Sequence, residues 1–491
     1  MSITCSNPVI WSDVPDVDVI RVGNYYYMSS TSMHMMPGVP IMRSTDLVNW
    51  EIVSYVYNTL ENNSAHNLTD GKGIYGKGSW ATSLRYKNGT YYVCFASNDM
   101  GKTYIYKTTD IINGPWTRSV LSAVYHDPSL LFDDDGKVYI VYGSGAVYIK
   151  ELTSDATAIK TGGLSQKLYT SPDSNLFEGS HIYKINGTYY IFNIRWTSRR
   201  IESCYRSSSL TGTWEGKVVL NSTLSGASGG VAQGGIFNTP DGAWYAMLFQ
   251  DHGAVGRVPV LVPVTWTDNW PIMGVNGAAP STLTIPLANS SIKTALLTSD
   301  DFNKMKLGLN WQWNHNPDNN NWSLSARSGY LRLTTGSIAS NIFLARNTLS
   351  QRTVGSTCTG EVAIETNNMK SGDYAGLAAF QDDYGIMGVK KTDSGKYLIM
   401  GTNGGSGALN EVASKSFTQN KVYLKIYFNF LNCTDKATFY YSLDGSTWTQ
   451  LGSQLSMTYK LTHFMGYRIA LFNYATTTTG GFVDFDYLHI V

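Results

Sequence analysis

Along most of this chain apolar and polar positions alternate with a period of two, and no stretch sustains the 3.6-residue apolar period of a capped helix. The clearest alternation sits in short aromatic and β-branched runs entered through a tight turn. They are YYYMS after Gly23, RYKNGTYYVCFAS from Arg85, FDDDGKVYIVYGS from Phe132, YKINGTYYIF from Tyr183 and NTPDGAWYAMLFQ from Asn238. Each reads as a strand, a hairpin turn and a second, stronger strand. Most close through a further half ending at a tryptophan: Trp50, Trp116, Trp214 and Trp266. The turn glycines fall at 23, 89, 136, 187 and 242, an irregular spacing of about fifty residues, the length of a propeller blade. Five such units predict a five-bladed β-propeller, which stacks its sheets around an axis and leaves few long edges.

The repeat stops in GVNGAAPSTLTIPLANSSIKTALLTSDDF, a Gly-, Pro-, Ser- and Thr-rich stretch from Gly274. Beyond it come YLRLTT, TCTGEVAIET, AGLAAFQD, YLIMGT, VYLKIYFNF, KATFYYSLDG and GFVDFDYLHIV. These alternating strands predict an antiparallel β-sandwich. The expected organisation is all-β, with a propeller over residues 1–290 and a sandwich over 291–491. The sandwich is expected to pack on the propeller and to lend a side chain to its pocket rim.

Composition narrows the function. Only 15% of the 491 residues are charged while 13% are aromatic, including 33 Tyr and 13 Trp. Net charge is +1 with no basic stripe, so neither nucleic acid nor an anionic membrane is an expected partner. The five cysteines are scattered and never spaced C-x-x-C, which argues against a disulfide framework or zinc site and towards a reducing compartment. No basic and apolar leader opens the chain, and no apolar run reaches 18 residues. A cytoplasmic protein is expected, with secretion behind a removed signal as the alternative. An uncharged surface rich in aromatics suits a sugar, which offers C–H faces for stacking, although most of these rings are simply strand core.

Three acids stand in apolar or glycine-rich sequence: Asp16 in VPDVDV, Asp127 in HDPSLLF and Glu178 in LFEGSHIY. A carboxylate there is costly unless it has partners or a task. Each precedes a blade's aromatic unit, so the three converge on the propeller axis. Asp18 rivals Asp16, because strand alternation puts both on one face. Glycoside hydrolysis needs one carboxylic acid to protonate the leaving oxygen and one carboxylate to activate water or attack. Other matches fail on context. GKGIYG from Gly71 precedes no helix, GASGG from Gly226 has no strand–elbow–helix, and DDDG at Asp133 lacks the downstream ligands of a calcium loop. Trp196 and Phe249 read as core, with the pocket wall as the second reading.

These segments resemble glycoside hydrolase family 43, whose β-xylosidases and α-L-arabinofuranosidases are inverting five-bladed propellers. PDVDVIRVGNYYY matches the family's early motif, and counting back from Arg21 makes Asp16 the general base. DPSLLFDDDG makes Asp127 the acid that tunes and orients Glu178, and EGSHIYK makes Glu178 the general acid. GSWATS places Trp80 against the sugar, and AVGR places Arg257 on it. SDDFNKMKLGLNWQWNHNPDNNNWSL looks like the accessory domain of the longer β-xylosidases. The resemblance implies an exo-acting enzyme releasing terminal β-D-xylose, with α-L-arabinofuranose as a further substrate, from xylo-oligosaccharides or arabinoxylan fragments. The alternatives are an α-L-arabinofuranosidase or arabinanase and a non-catalytic carbohydrate-binding protein. It also implies a hydrated divalent cation, Ca²⁺, held at His252 with water as its other ligands, and allows a homo-oligomer. Departures are Gln233 in AQGG, where many members carry histidine, and Val17, Thr82 and Ser180 at family prolines.

Overall fold

The aromatic runs become the second strand of each blade. A computed structural model of the chain describes residues 2–173, 175–404 and 407–491. Its propeller consists of five four-stranded antiparallel sheets, each with its strands in chain order. Blade one starts at Asp18–Val22, blade two at Thr82–Lys87, blade three at Ser129–Phe132, blade four at Phe177–Ile185 and blade five at Ala232–Asn238. The second strands, such as Thr188–Trp196 and Trp244–Asp251, are buried almost end to end. Blades stack on both their faces, so these strands take aromatic and β-branched residues on both sides rather than alternating. Outer strands such as Ser165–Thr170 and Glu215–Leu220 stay largely exposed and polar. All five hairpin glycines adopt left-handed φ, between 62° at Gly23 and 86° at Gly242, the backbone that a tight hairpin turn demands. A two-stranded pairing of Ile3–Ser6 with Thr282–Ile285 ties the start of the chain to the segment after blade five.

The C-terminal region folds into two facing antiparallel sheets, a β-sandwich. Lys421–Asn429 alternates buried and accessible residues, as a strand with one face on a core must. Leu409–Phe417 is an exposed edge carrying Glu411 and Lys415, charges that discourage further strand pairing. Among the described residues the only helical elements are three short 3₁₀ turns.

The two regions share structure. Met35–Met36, from a loop of blade one, pairs with Gln312–Asn314 and forms the edge strand of one sandwich sheet. The largest hydrophobic cluster runs through the joint, from Tyr27, Val39 and Val255 to Trp311, Trp313 and Leu331.

Candidate active site

The inner strands of a propeller begin around its axis, and four of the five begin with a left-handed residue. Asp16 (φ 52°), Asp127 (φ 45°), Gly179 (φ 67°) and Gln233 (φ 59°) each turn the chain just before or at the first strand of a blade. Non-glycine residues pay for that conformation, on the order of 1 kcal/mol or more each, and such strain concentrates at functional sites. Here it turns the side chains of Asp16, Asp127 and Gln233 into one cavity of about 440 Å³. Every blade contributes: Asp16, then Trp80, then His126 with Asp127, then Glu178, then Gln233 with Phe249, Asp251 and Arg257. Tyr459, Leu461 and Phe464 of the sandwich complete the wall.

Asp16 is nearly buried and is held by Arg257, whose Nη1 lies 2.9 Å from both carboxylate oxygens. Burial pushes the Asp16 carboxyl up, and the Arg257 charge works against that rise. Arg257 lies between the rings of Phe464 (4.6 Å) and Phe249 (5.4 Å), and its Nε and Nη2 have no protein partner although buried. Buried donors without partners in a cavity wall are what a ligand's hydroxyl oxygens would satisfy. Burial opposes the guanidinium's charge, but Asp16 outweighs it.

Asp127 accepts a hydrogen bond from the backbone N–H of Gly179 at 2.9 Å and so grips the residue after Glu178. A side chain at Gly179 would press on Gln233. A β-bulge between Glu178 and His181 then aims Glu178 inward. Burial pushes Asp127 up to about 7; Glu178 and Asp16 add to this, and His126 opposes it. His126 was not singled out from the sequence. Its Nε2 lies 2.9 Å from Glu178 Oε2 and 3.5 Å from Asp127 Oδ2. Trp80 meets its ring edge at 5.7 Å and anchors its own indole N–H on the Gly76 carbonyl.

The rival acid sits elsewhere. Asp18 is fully buried and does not line this cavity; its carboxylate pairs with Arg85 Nη1 at 2.6 Å and accepts from Leu84 N–H at 2.8 Å. Burial pushes it up, but Arg85 and His181 outweigh this and hold it below its usual range. Phe249 joins the cavity wall, whereas Trp196 is 41% exposed and belongs to no core. Arg200, paired with Asp251, was another residue that sequence reasoning missed.

His252 lies outside the cavity wall, buried against the edge of Trp11, with Nε2 3.3 Å from Gln250 Oε1. Burial pushes its imidazole down to about 4. That donor set is one neutral imidazole and one amide oxygen. The nearby carboxylates are engaged, Asp13 by the backbone N–H groups of Arg257 and Gly466 and Asp251 by Arg200. Calcium takes six to eight oxygens, carboxylates foremost; here the protein offers one amide oxygen and no free carboxylate pair, a poor fit that leaves nearly the whole shell to water.

Comparison with known proteins places the chain in a family. The family model described as "Glycosyl hydrolases family 43" matches residues 5–271, and "Beta xylosidase C-terminal Concanavalin A-like domain" matches 299–491. A beta-xylosidase from Formosa agariphila is 31% identical over 548 residues, covering 99% of this chain and 90% of its own. A non-reducing end alpha-L-arabinofuranosidase from Bacteroides ovatus is 28% identical over 399 residues, covering 77% of this chain and 74% of its own. A solved structure described as a bifunctional GH43-CE from Bacteroides eggerthii superposes with a TM-score of 0.95 at 48% identity. It matches 100% of this chain, which spans 64% of the length of that protein.

Proposed function

The chain belongs to glycosyl hydrolases family 43, and from that premise we propose that it is an exo-acting, inverting glycosidase releasing terminal β-D-xylose from xylo-oligosaccharides. The observation that carries this is the enclosure of the acids. Asp16 under Arg257 and Glu178 beside Asp127 share one cavity that Tyr459, Leu461 and Phe464 wall off, a shape for a chain end rather than for a chain passing through.

In this reading Asp16 takes the proton of the attacking water, and Arg257 opposes the rise that burial imposes on the Asp16 carboxyl. Glu178 gives a proton to the departing oxygen. Asp127 acts on Glu178 through the Gly179 backbone and fixes the direction of its carboxyl. The free N–H groups of Arg257 donate to the sugar's hydroxyl oxygens, and Trp80 supplies an apolar wall. No step passes through a cation, because the donors around His252 do not make a cage for one.

A second reading, release of terminal α-L-arabinofuranose, draws on the Bacteroides ovatus relative. Initial rates on 4-nitrophenyl β-D-xylopyranoside and 4-nitrophenyl α-L-arabinofuranoside decide between them, with the enzyme used before and after dialysis against EDTA. Glu178→Ala is expected to lose about 10²- to 10⁴-fold on natural oligosaccharides, and proton NMR is expected to show α-xylose as the first product. Turnover of neither glycoside, or β-xylose as the first product, overturns this reading. A loss on dialysis that Ca²⁺ restores overturns the metal-free account.

A further inference from the structure

His126 is the only histidine among the described residues lining the cavity, and the mechanism above gives it no task. It touches the reacting machinery all the same. Its Nε2 is 2.9 Å from Glu178 Oε2, the shortest polar contact that the Glu178 carboxylate makes; Ser144 Oγ follows at 3.3 Å. An imidazole nitrogen and a carboxyl oxygen in such contact share one hydrogen, so a proton on one is held against the other. Trp80 against the ring edge and the peptide link to Asp127 leave His126 little freedom to turn away.

We propose that His126 is the proton partner of Glu178, so that the pair, rather than the carboxyl alone, stores the proton delivered to the leaving oxygen. This rests on the reading of Glu178 as the acid. As the anomeric carbon–oxygen bond breaks, its electron pair stays on the departing oxygen, which takes the pair's proton. Glu178 is then left as carboxylate beside a neutral His126. Water forms the new bond to the anomeric carbon and loses its proton to Asp16. Exchange with solvent returns a proton to the pair and removes one from Asp16.

The charges around His126 favour this storage. Burial disfavours the imidazolium, but Glu178, Asp127 and Asp16 outweigh it and push His126 up to about 9. Across the cavity the cations are already engaged, Arg257 with Asp16 and Arg200 with Asp251, and burial keeps the Tyr459 hydroxyl protonated. The stored proton therefore survives into alkaline solution.

The test compares the parent with His126→Gln, which can still donate a hydrogen bond but holds no exchangeable charge. Xylobiose needs its leaving oxygen protonated; 2,4-dinitrophenyl β-D-xylopyranoside does not. On xylobiose at pH 8, kcat/KM is expected to fall about 10- to 100-fold, with the alkaline limb moved down by about one pH unit or more. On the activated xyloside a change below about threefold is expected. Equal losses on both substrates, or an unmoved limb, overturn the proposal. A second measurement needs no substrate. Histidine-labelled NMR is expected to show the His126 titration falling in Glu178→Gln, and an unchanged midpoint also overturns the proposal. Should the parent hydrolyse neither xyloside, the functional reading fails, and the NMR arm still decides the pairing.

Discussion

Two groups of histidines in this molecule have opposite fates. In the pocket, His126 faces three carboxyls and is pushed up to about 9. At the joint between propeller and sandwich, His34, His315 and His463 are sealed together around Tyr75, whose ring lies 4.6 to 5.1 Å from each of theirs. Among the described residues no carboxylate pairs with these three imidazoles. Both ring nitrogens of His34 and His463 and Nδ1 of His315 have no protein partner, while Nε2 of His315 accepts from the Ile74 N–H. Burial pushes His463 down to about 3, and it pushes His34 and His315 well below their ordinary value. One residue type thus serves as a charge store where acids surround it and as a neutral aromatic where they do not. The difference lies in the partners, which the side chain's own chemistry does not disclose.

The largest effect is expected from removing the charge that balances the pocket on its other side. In Arg257→Ala, Asp16 remains buried without its bidentate partner. The sugar also loses the donors that hold it, and removing one such preorganised charged group is expected to lower kcat/KM at neutral pH by about 10²- to 10³-fold. Arg257 draws the Asp16 carboxyl down, so its loss lets that carboxyl rise. The base works only when ionised, and the acid limb of the pH–rate profile should therefore move to higher pH. Arg257→Lys should recover part of both. An acid limb that stays in place in Arg257→Ala separates Asp16 from the base role.

The joint should respond through stability rather than rate. Its three imidazoles titrate lower in the fold than in the unfolded chain, where the ordinary value is near 6.5. Below that pH the unfolded state binds more protons, and stability falls as pH falls. The contribution is complete above about pH 6.5 and is lost progressively towards the folded values. Between pH 6.5 and 5 this amounts to roughly 2 kcal/mol per histidine. Thermal melting across that window should therefore show a steep drop, and His463→Phe should make it shallower. A melting temperature flat from pH 7 to 5 would mean that the cluster admits protons without opening. Arg468, buried next to the joint, opposes any such protonation.

What was legible in the sequence was local. The hairpins announced themselves through glycines that the turns need at positive φ, and the acids through apolar flanks that leave a carboxylate no bland reason to be there. Asp18 met the same description as Asp16. Only the third dimension sent one to the cavity and the other to Arg85, which is 67 residues away in the chain. His126 was unreadable for a related reason: its meaning depends on Glu178, 52 residues on. Nothing in MHMMPG marked Met35–Met36 as an edge strand of the sandwich, because strand pairing across regions has no local period. Phe464 reaches Arg257 from a loop whose own sequence, KLTHFMG, is ordinary. His252 drew notice for standing five residues before Arg257, yet its ring packs on Trp11 and faces no carboxylate cage.

The smallest effect is the sharpest on the pairing itself. Ser144 is the other donor to Glu178 Oε2, at 3.3 Å, in an exposed contact. A hydrogen bond to a charged acceptor contributes about 1.5–3 kcal/mol when well made, but this one is long and open to water that can replace it. Ser144→Ala is therefore expected to lower kcat/KM on xylobiose by about threefold or less and to leave the alkaline limb in place. His126→Gln, removing the contact that also holds the proton, should move that limb. If Ser144→Ala moves it as far, the carboxyl's surroundings act together, and the contrast between a partnered and an unpartnered histidine loses its place in the catalysis. If only His126→Gln moves it, the proton resides where the 2.9 Å contact puts it.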